Sequence, residues 1–110
     1  MEDKSVLEEL FEVVKLRKTE PQEGSYTCYL FNQGIDKILK KVGEETSEVI
    51  IASKNDVKED KINEVCDLLY HLVVLMVEQG IELSEIEENL RERSKKIGNL
   101  KQMKVTDKNT

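Results

Sequence analysis

The chain has 110 residues, of which 23 are acidic and 17 basic, giving a formal net charge of −6 with one histidine, one proline and two cysteines. That length fits a single domain, and the acidic balance speaks against non-specific nucleic-acid binding, which relies on a broad positive field. No apolar run is long enough to cross a bilayer, no signal-peptide pattern opens the chain, and two distant cysteines suggest neither a disulfide framework nor a zinc site, so a soluble, cytoplasmic protein is expected.

Abundant Glu, Lys, Leu, Val and Ile with few aromatics favour helices over strands. The first predicted helix runs from about Ser5 to Arg17, with Val6, Leu7, Leu10, Phe11, Val13 and Val14 as its apolar stripe. The stretch Glu20–Gly24, which holds the proline, ends it. A second segment spans about Ser25 to Lys54, with Ser25 as N-cap; Gly34 either kinks it or divides it into a short and a long helix. Its stripe is Ile35, Ile38, Leu39, Val42, Val49 and Ile50, and Asn55 and Asp56 break it, with Asp56 available to cap the next helix.

The third segment, about Val57 to Glu78, contains VCDLLYHLVVLMV, apolar nearly all the way round. Such a helix is buried on several sides, which a lone small bundle supplies poorly; a homodimer interface is the simplest remedy, with a tetramer also open. Cys66 in this run reads as a small core residue. Gly80 stops the helix, Ser84 with Glu87 reads as a capping box, and the fourth segment runs to about Lys96, closed by Gly98. The expected fold is all-α, a bundle of four to five helices with a central antiparallel helix hairpin, completed by homodimerisation. Residues 1–98 form the domain, and 99–110 a polar tail.

Four carboxylates stand out. Glu45 and Glu48 lie three residues apart on the second segment, and Glu64 and Asp67 repeat the spacing on the third, so each helix offers a pair on one face. Glu45 mirrors Asp67, and Glu48 mirrors Glu64, about Asp56. In an antiparallel hairpin turning there, both pairs fall at one height, about 12 Å from the turn at 1.5 Å per residue. Glu45 also falls in line with Val42 and Val49, and Asp67 interrupts the most apolar run. Burying ionised carboxylates together is costly without a compensating cation, and oxygen-only ligands select a hard ion, Mg²⁺ with Mn²⁺ as a possible substitute. Ion pairing with lysines is the competing account. A di-iron bundle is disfavoured, since its paired Glu-x-x-His ligands are absent.

Lys37, Lys40 and Lys41 precede the acidic pair and Lys54 follows it; each is either a phosphate contact or a solvated surface lysine. No Gly-rich phosphate loop is present, and no serine carries a paired-histidine pattern, so covalent catalysis is not expected. Glu44, next to the cluster, is a candidate base or outer ligand. His71 is either a hydrogen-bonded structural residue or a phosphate or supporting contact.

The stretch GSYTCYLFNQGIDKILKKVGEETSEVIIASKN, followed by NEVCDLLYHLVVLM, resembles the phosphoribosyl-ATP pyrophosphatase family, within the all-α nucleoside triphosphate pyrophosphatases of MazG type. The likeness covers roughly Gly24 to Arg93. That superfamily's metal signature, Glu-x-x-Glu, spacer, Glu-x-x-Asp, is matched by Glu45, Glu48, Glu64 and Asp67. The resemblance implies a small-molecule nucleotide substrate and Mg²⁺-dependent hydrolysis of phosphoribosyl-ATP to phosphoribosyl-AMP and pyrophosphate, the second step of histidine biosynthesis. It also implies a helical dimer. On that reading Glu44 and Glu48 are the catalytic carboxylates, the lysines neutralise the leaving group, and Arg91 and Arg93 contact the substrate's ribose 5-phosphate arm. Tyr29 stands where many members carry lysine, and Thr46 and Val65–Cys66 replace the more usual alanines. Two other readings fit the same residues: a house-cleaning pyrophosphatase acting on ordinary nucleoside triphosphates, and a non-enzymatic helical dimerisation module.

Overall fold

A computed structural model describes residues 3–96. The Gly98 stop and the 99–110 tail expected from the sequence lie outside them. Five helices follow in order: α1 (Val6–Thr19), α2 (Tyr26–Gln33), α3 (Ile35–Ser53), α4 (Lys58–Glu78) and α5 (Leu83–Ser94), with no strand among the described residues. The all-α expectation holds.

Local chemistry sets the helix ends. The Ser5 hydroxyl accepts from the Glu8 backbone N–H at 3.1 Å while the Glu8 carboxylate accepts from the Ser5 N–H at 3.0 Å, closing a capping box on α1. Ser25 caps α2 as expected, accepting from the Cys28 N–H at 3.2 Å. Gly34, at φ 92°, divides the second segment outright, because that left-handed backbone suits neither helix and costs a residue with a Cβ most.

Two caps fall elsewhere than predicted. Asp56 does not cap α4; its N-cap is Val57, and the Asn55 side chain closes the connection by accepting from the Val57 N–H at 2.8 Å. The α5 capping box is Glu82 with Glu85, not Ser84 with Glu87: starting two residues earlier puts Leu83 at the first helical position and buries it.

The core is one cluster of Phe11, Val14, Leu30, Ile38, Val73, Val74 and Leu83, drawn from every helix. The α3–α4 hairpin, joined by four residues, makes the most extensive helix contact, and α1 and α2 close over it. The core takes the C-terminal half of α4. The N-terminal half keeps one face open, with Ile62, Val65, Cys66 and Leu69 exposed. Cys66 is therefore not a core residue of the single chain, as periodicity suggested. Along α3, Leu39 and Ile50 are likewise exposed although they belong to the predicted stripe, as are Val6 and Val13 on α1. Beyond Leu83, α5 lies open along its length, Ile86 and Leu90 included. No helix among the described residues is long and apolar enough to cross a membrane.

Candidate metal centre

The hairpin brings together three of the four carboxylates that the mirrored spacing sets at one height. One carboxylate oxygen each from Glu45, Glu48 and Glu64 lie within 4.8 Å of one another. Glu45 is buried, 7% exposed, on the core side of α3, Glu64 is half-buried on α4, and Glu48 is exposed at the rim. Asp67 follows Glu64 by one turn but is exposed, and its carboxylate stays outside this group of three.

Three acidic groups this close are electrostatically unsatisfied. Oε1 of Glu45 and Oε2 of Glu64 are buried and meet no hydrogen-bond donor. Burial first, and then the charge of Glu48, push the Glu45 carboxyl above its usual range against the pull of His71 and Lys41. Glu64 is pushed up to about 7, first by hydrogen bonding with Glu48, then by burial and by the charges of Glu48, Asp67 and Glu45. One ammonium reaches the group: Lys41 Nζ stands 3.7 Å from Glu45 and 3.3 Å from Glu44. A single lysine on the rim leaves two inward-facing oxygens without a partner. A hard divalent cation would supply what is missing, so the residues present fit one.

The other predicted site residues divide by position. Lys37, Lys41, Glu44 and Glu48 recur at intervals of four, three and four residues, which lines them along one side of α3. Lys37 Nζ lies 5.8 Å from the centre of the Tyr29 ring, and Lys40 is exposed. Lys54 sits at the C-cap of α3, in the connection. Arg91 and Arg93 are not brought to the groove: they are held on α5 by Glu88 at 2.7 Å and Asn89 at 2.7 Å, and α5 makes no substantial contact with α3.

Periodicity did not single out the polar lock beside the carboxylates. SYT at the start of α2 and YH in α4 meet as two pairs, Tyr26 with His71 and Thr27 with Tyr70. His71 is 5% exposed, and its Nδ1–H donates to the Asp67 carbonyl at 2.7 Å, since a carbonyl only accepts. On the other side of the ring, Nε2 meets the Tyr26 hydroxyl at 3.1 Å. The hydrogen-bonded structural reading of His71 describes what it does. Tyr26→Phe keeps the ring but strands a buried nitrogen, so stability falls by about 1–3 kcal/mol in urea denaturation, with the helix content of the folded protein unchanged.

Comparison with known proteins gives the family. The family described as phosphoribosyl-ATP pyrophosphohydrolase matches residues 7–94. A phosphoribosyl-ATP pyrophosphatase of Clostridium acetobutylicum is 58% identical over 93% of each chain. One from Clostridium novyi is 57% identical over 92% of each, and one from Listeria innocua 56% identical over 84% of this chain and 88% of its own. All five helices fall wholly or almost wholly inside the matched span.

Proposed function

The chain belongs to the phosphoribosyl-ATP pyrophosphohydrolase family, and from that premise we propose that it hydrolyses phosphoribosyl-ATP to phosphoribosyl-AMP and pyrophosphate, in histidine biosynthesis, at the Glu45–Glu48–Glu64 groove with Mg²⁺. The observation that carries the site is the pair of buried, donorless carboxylate oxygens on facing helices. Mn²⁺ has the same preference for oxygen ligands and is a possible substitute.

Glu45 and Glu64 would hold the ion from inside the groove and Glu48 from its rim, with Asp67 available as a fourth carboxylate one turn along α4. When bound, the ion polarises the phosphoryl oxygens and offsets the charge of the phosphate chain. Glu48, the exposed member of the three, is placed to take the proton of the attacking water, whereas Glu44 is drawn aside by Lys41. Lys41 carries its charge into the groove: burial works against its ammonium, but Glu44, Tyr26 and Glu45 outweigh that and hold its pKa above the ordinary value. Lys40 is adjacent to Lys41 and Lys37 stands one turn further along α3, so the positive charge continues from the groove toward the phosphate and ribose of the nucleotide half of the substrate.

The protein acts as a homodimer in the cytoplasm on this reading. Ile62, Val65, Cys66 and Leu69 fall on the side of α4 opposite Glu64, Asp67 and His71, so a second copy covers them without blocking the groove. Sedimentation equilibrium distinguishes dimer from tetramer. The activity test is pyrophosphate release from phosphoribosyl-ATP, ATP, dCTP and dUTP, with Mg²⁺ and with chelator. Release is expected from phosphoribosyl-ATP in Mg²⁺ only; comparable turnover of dCTP or dUTP, or indifference to chelator, defeats the proposal.

A further inference from the structure

Beside the groove lies an aromatic surface that no step above uses. Tyr26 and Tyr29 are stacked, with centroids 5.9 Å apart and planes 23° apart, and Tyr70 continues the row behind Tyr26 at 6.2 Å and 28°. The two outer rings are not core: Tyr26 is 45% and Tyr29 42% exposed. They border an open concavity of about 650 Å³ whose other lining residues include Gln22, Glu23, Ser25 and Asn32. That volume is within the ordinary range for small-molecule sites.

The row is held in place rather than loosely displayed. The Tyr26 hydroxyl is fixed on His71, and His71 is fixed on the backbone of Asp67, so the platform is tied to the helix that bears Glu64. It is also joined to the groove along α3. From Glu45, Lys41 is one turn away and Lys37 two, about 12 Å by helix rise, and Lys37 Nζ arrives 5.8 Å from the Tyr29 ring centre. Carboxylates, lysines and a flat aromatic face thus succeed one another in the order a nucleotide presents to them: metal-bound phosphates, further phosphate or ribose, planar base.

We propose that Tyr29, with Tyr26 behind it, is the platform on which the substrate's purine ring stacks, and that the amides of Gln22 and Asn32 are the groups available to the base edge. This rests on the reading of the carboxylate groove as the phosphate-cleaving site. Stacking on tyrosine needs an accessible ring that is held in place: Tyr29 is 42% exposed and stacked on Tyr26, with Lys37 Nζ over its ring and displaced as a base enters. Tyr29 offers a surface, and Lys37 beside it supplies a charge.

The test is steady-state kinetics with phosphoribosyl-ATP for Tyr29→Ala and Tyr29→Phe, together with calorimetric titration of AMP and of ribose 5-phosphate. Tyr29 is exposed on its helix, so neither variant disturbs the core. Tyr29→Ala is expected to raise KM about tenfold or more, with kcat within about threefold of wild type. Tyr29→Phe should stay within about twofold, and only AMP, not ribose 5-phosphate, should lose affinity in the alanine variant. Unchanged KM in Tyr29→Ala, equal impairment in the phenylalanine variant, or a changed oligomeric state in place of a changed KM overturns the platform. Should the wild-type protein not cleave phosphoribosyl-ATP, the functional reading falls separately. The AMP titration then decides the platform alone: affinity lost in Tyr29→Ala upholds it, affinity retained ends it.

Discussion

Glu48→Gln is expected to lower kcat for pyrophosphate release by about 10³, equivalent to about 4 kcal/mol of transition-state stabilisation. The amide matches the carboxylate in size but brings no negative charge to a cation and accepts no proton from water. Glu48 is exposed, so its replacement leaves the core intact, and an unchanged circular dichroism spectrum and unchanged oligomeric state make the loss chemical. Asp67→Asn should cost less, about 10- to 100-fold, because its carboxylate stands outside the group of three and acts on it from one turn away. Both rates are read from pyrophosphate release at saturating Mg²⁺. Near wild-type turnover by folded Glu48→Gln would remove the carboxylate groove from the mechanism.

The second large effect is on stability. Without metal, the charged forms of Glu45 and Glu64 are disfavoured in the folded chain, and the sign follows from Glu64. Its folded value is pushed up to about 7, whereas an unperturbed glutamate releases its proton near 4.5. Below the lower value both states are protonated and Glu64 contributes no pH dependence. Between the two only the folded chain keeps the proton, so stability falls as pH rises through this window and levels off above about 7. Chelator-treated protein should therefore melt lower at pH 8 than at pH 5. Adding Mg²⁺ at pH 8 to a hundred times its Kd stabilises the folded state by about 2.7 kcal/mol, a rise in Tm on the order of 10 °C for a chain of this size. Glu64→Gln should abolish most of both effects, raising the metal-free Tm at pH 8 and removing most of the response to Mg²⁺. Thermal melts followed by circular dichroism read all of this, and a Tm that ignores both Mg²⁺ and chelator contradicts the metal centre.

The helix pattern and the groove were readable in advance because both depend on short-range periodicity. Helical spacing places Glu45 and Glu48 on one face, and a break near Asp56 suffices to set Glu64 opposite them; the structure brings these three together. Periodicity identifies apolar positions but not who covers them. For that reason Cys66, with Ile62, Val65 and Leu69 around it, looked like core and lies open in the single chain. Caps were ambiguous where two candidates obeyed one rule: Ser84 with Glu87 and Glu82 with Glu85 have the same spacing, and the burial of Leu83 selects the second pair. Least readable was the lock between Tyr26 and His71 and between Thr27 and Tyr70. Each pair is more than 40 residues apart in the chain, and no local pattern announces such a contact. Its members were visible only as fragments of a family likeness.

The antiparallel register across residues 54–57 also divides the chain by its tolerance of insertions and deletions. A residue added within that connection lengthens a loop at small entropic cost and leaves every opposed pair opposed. The same residue added between Glu48 and Ser53, or between Lys58 and Glu64, turns everything on one side of it by about 100° relative to the facing helix. The acids then point past one another, although composition, charge and helix content are all preserved.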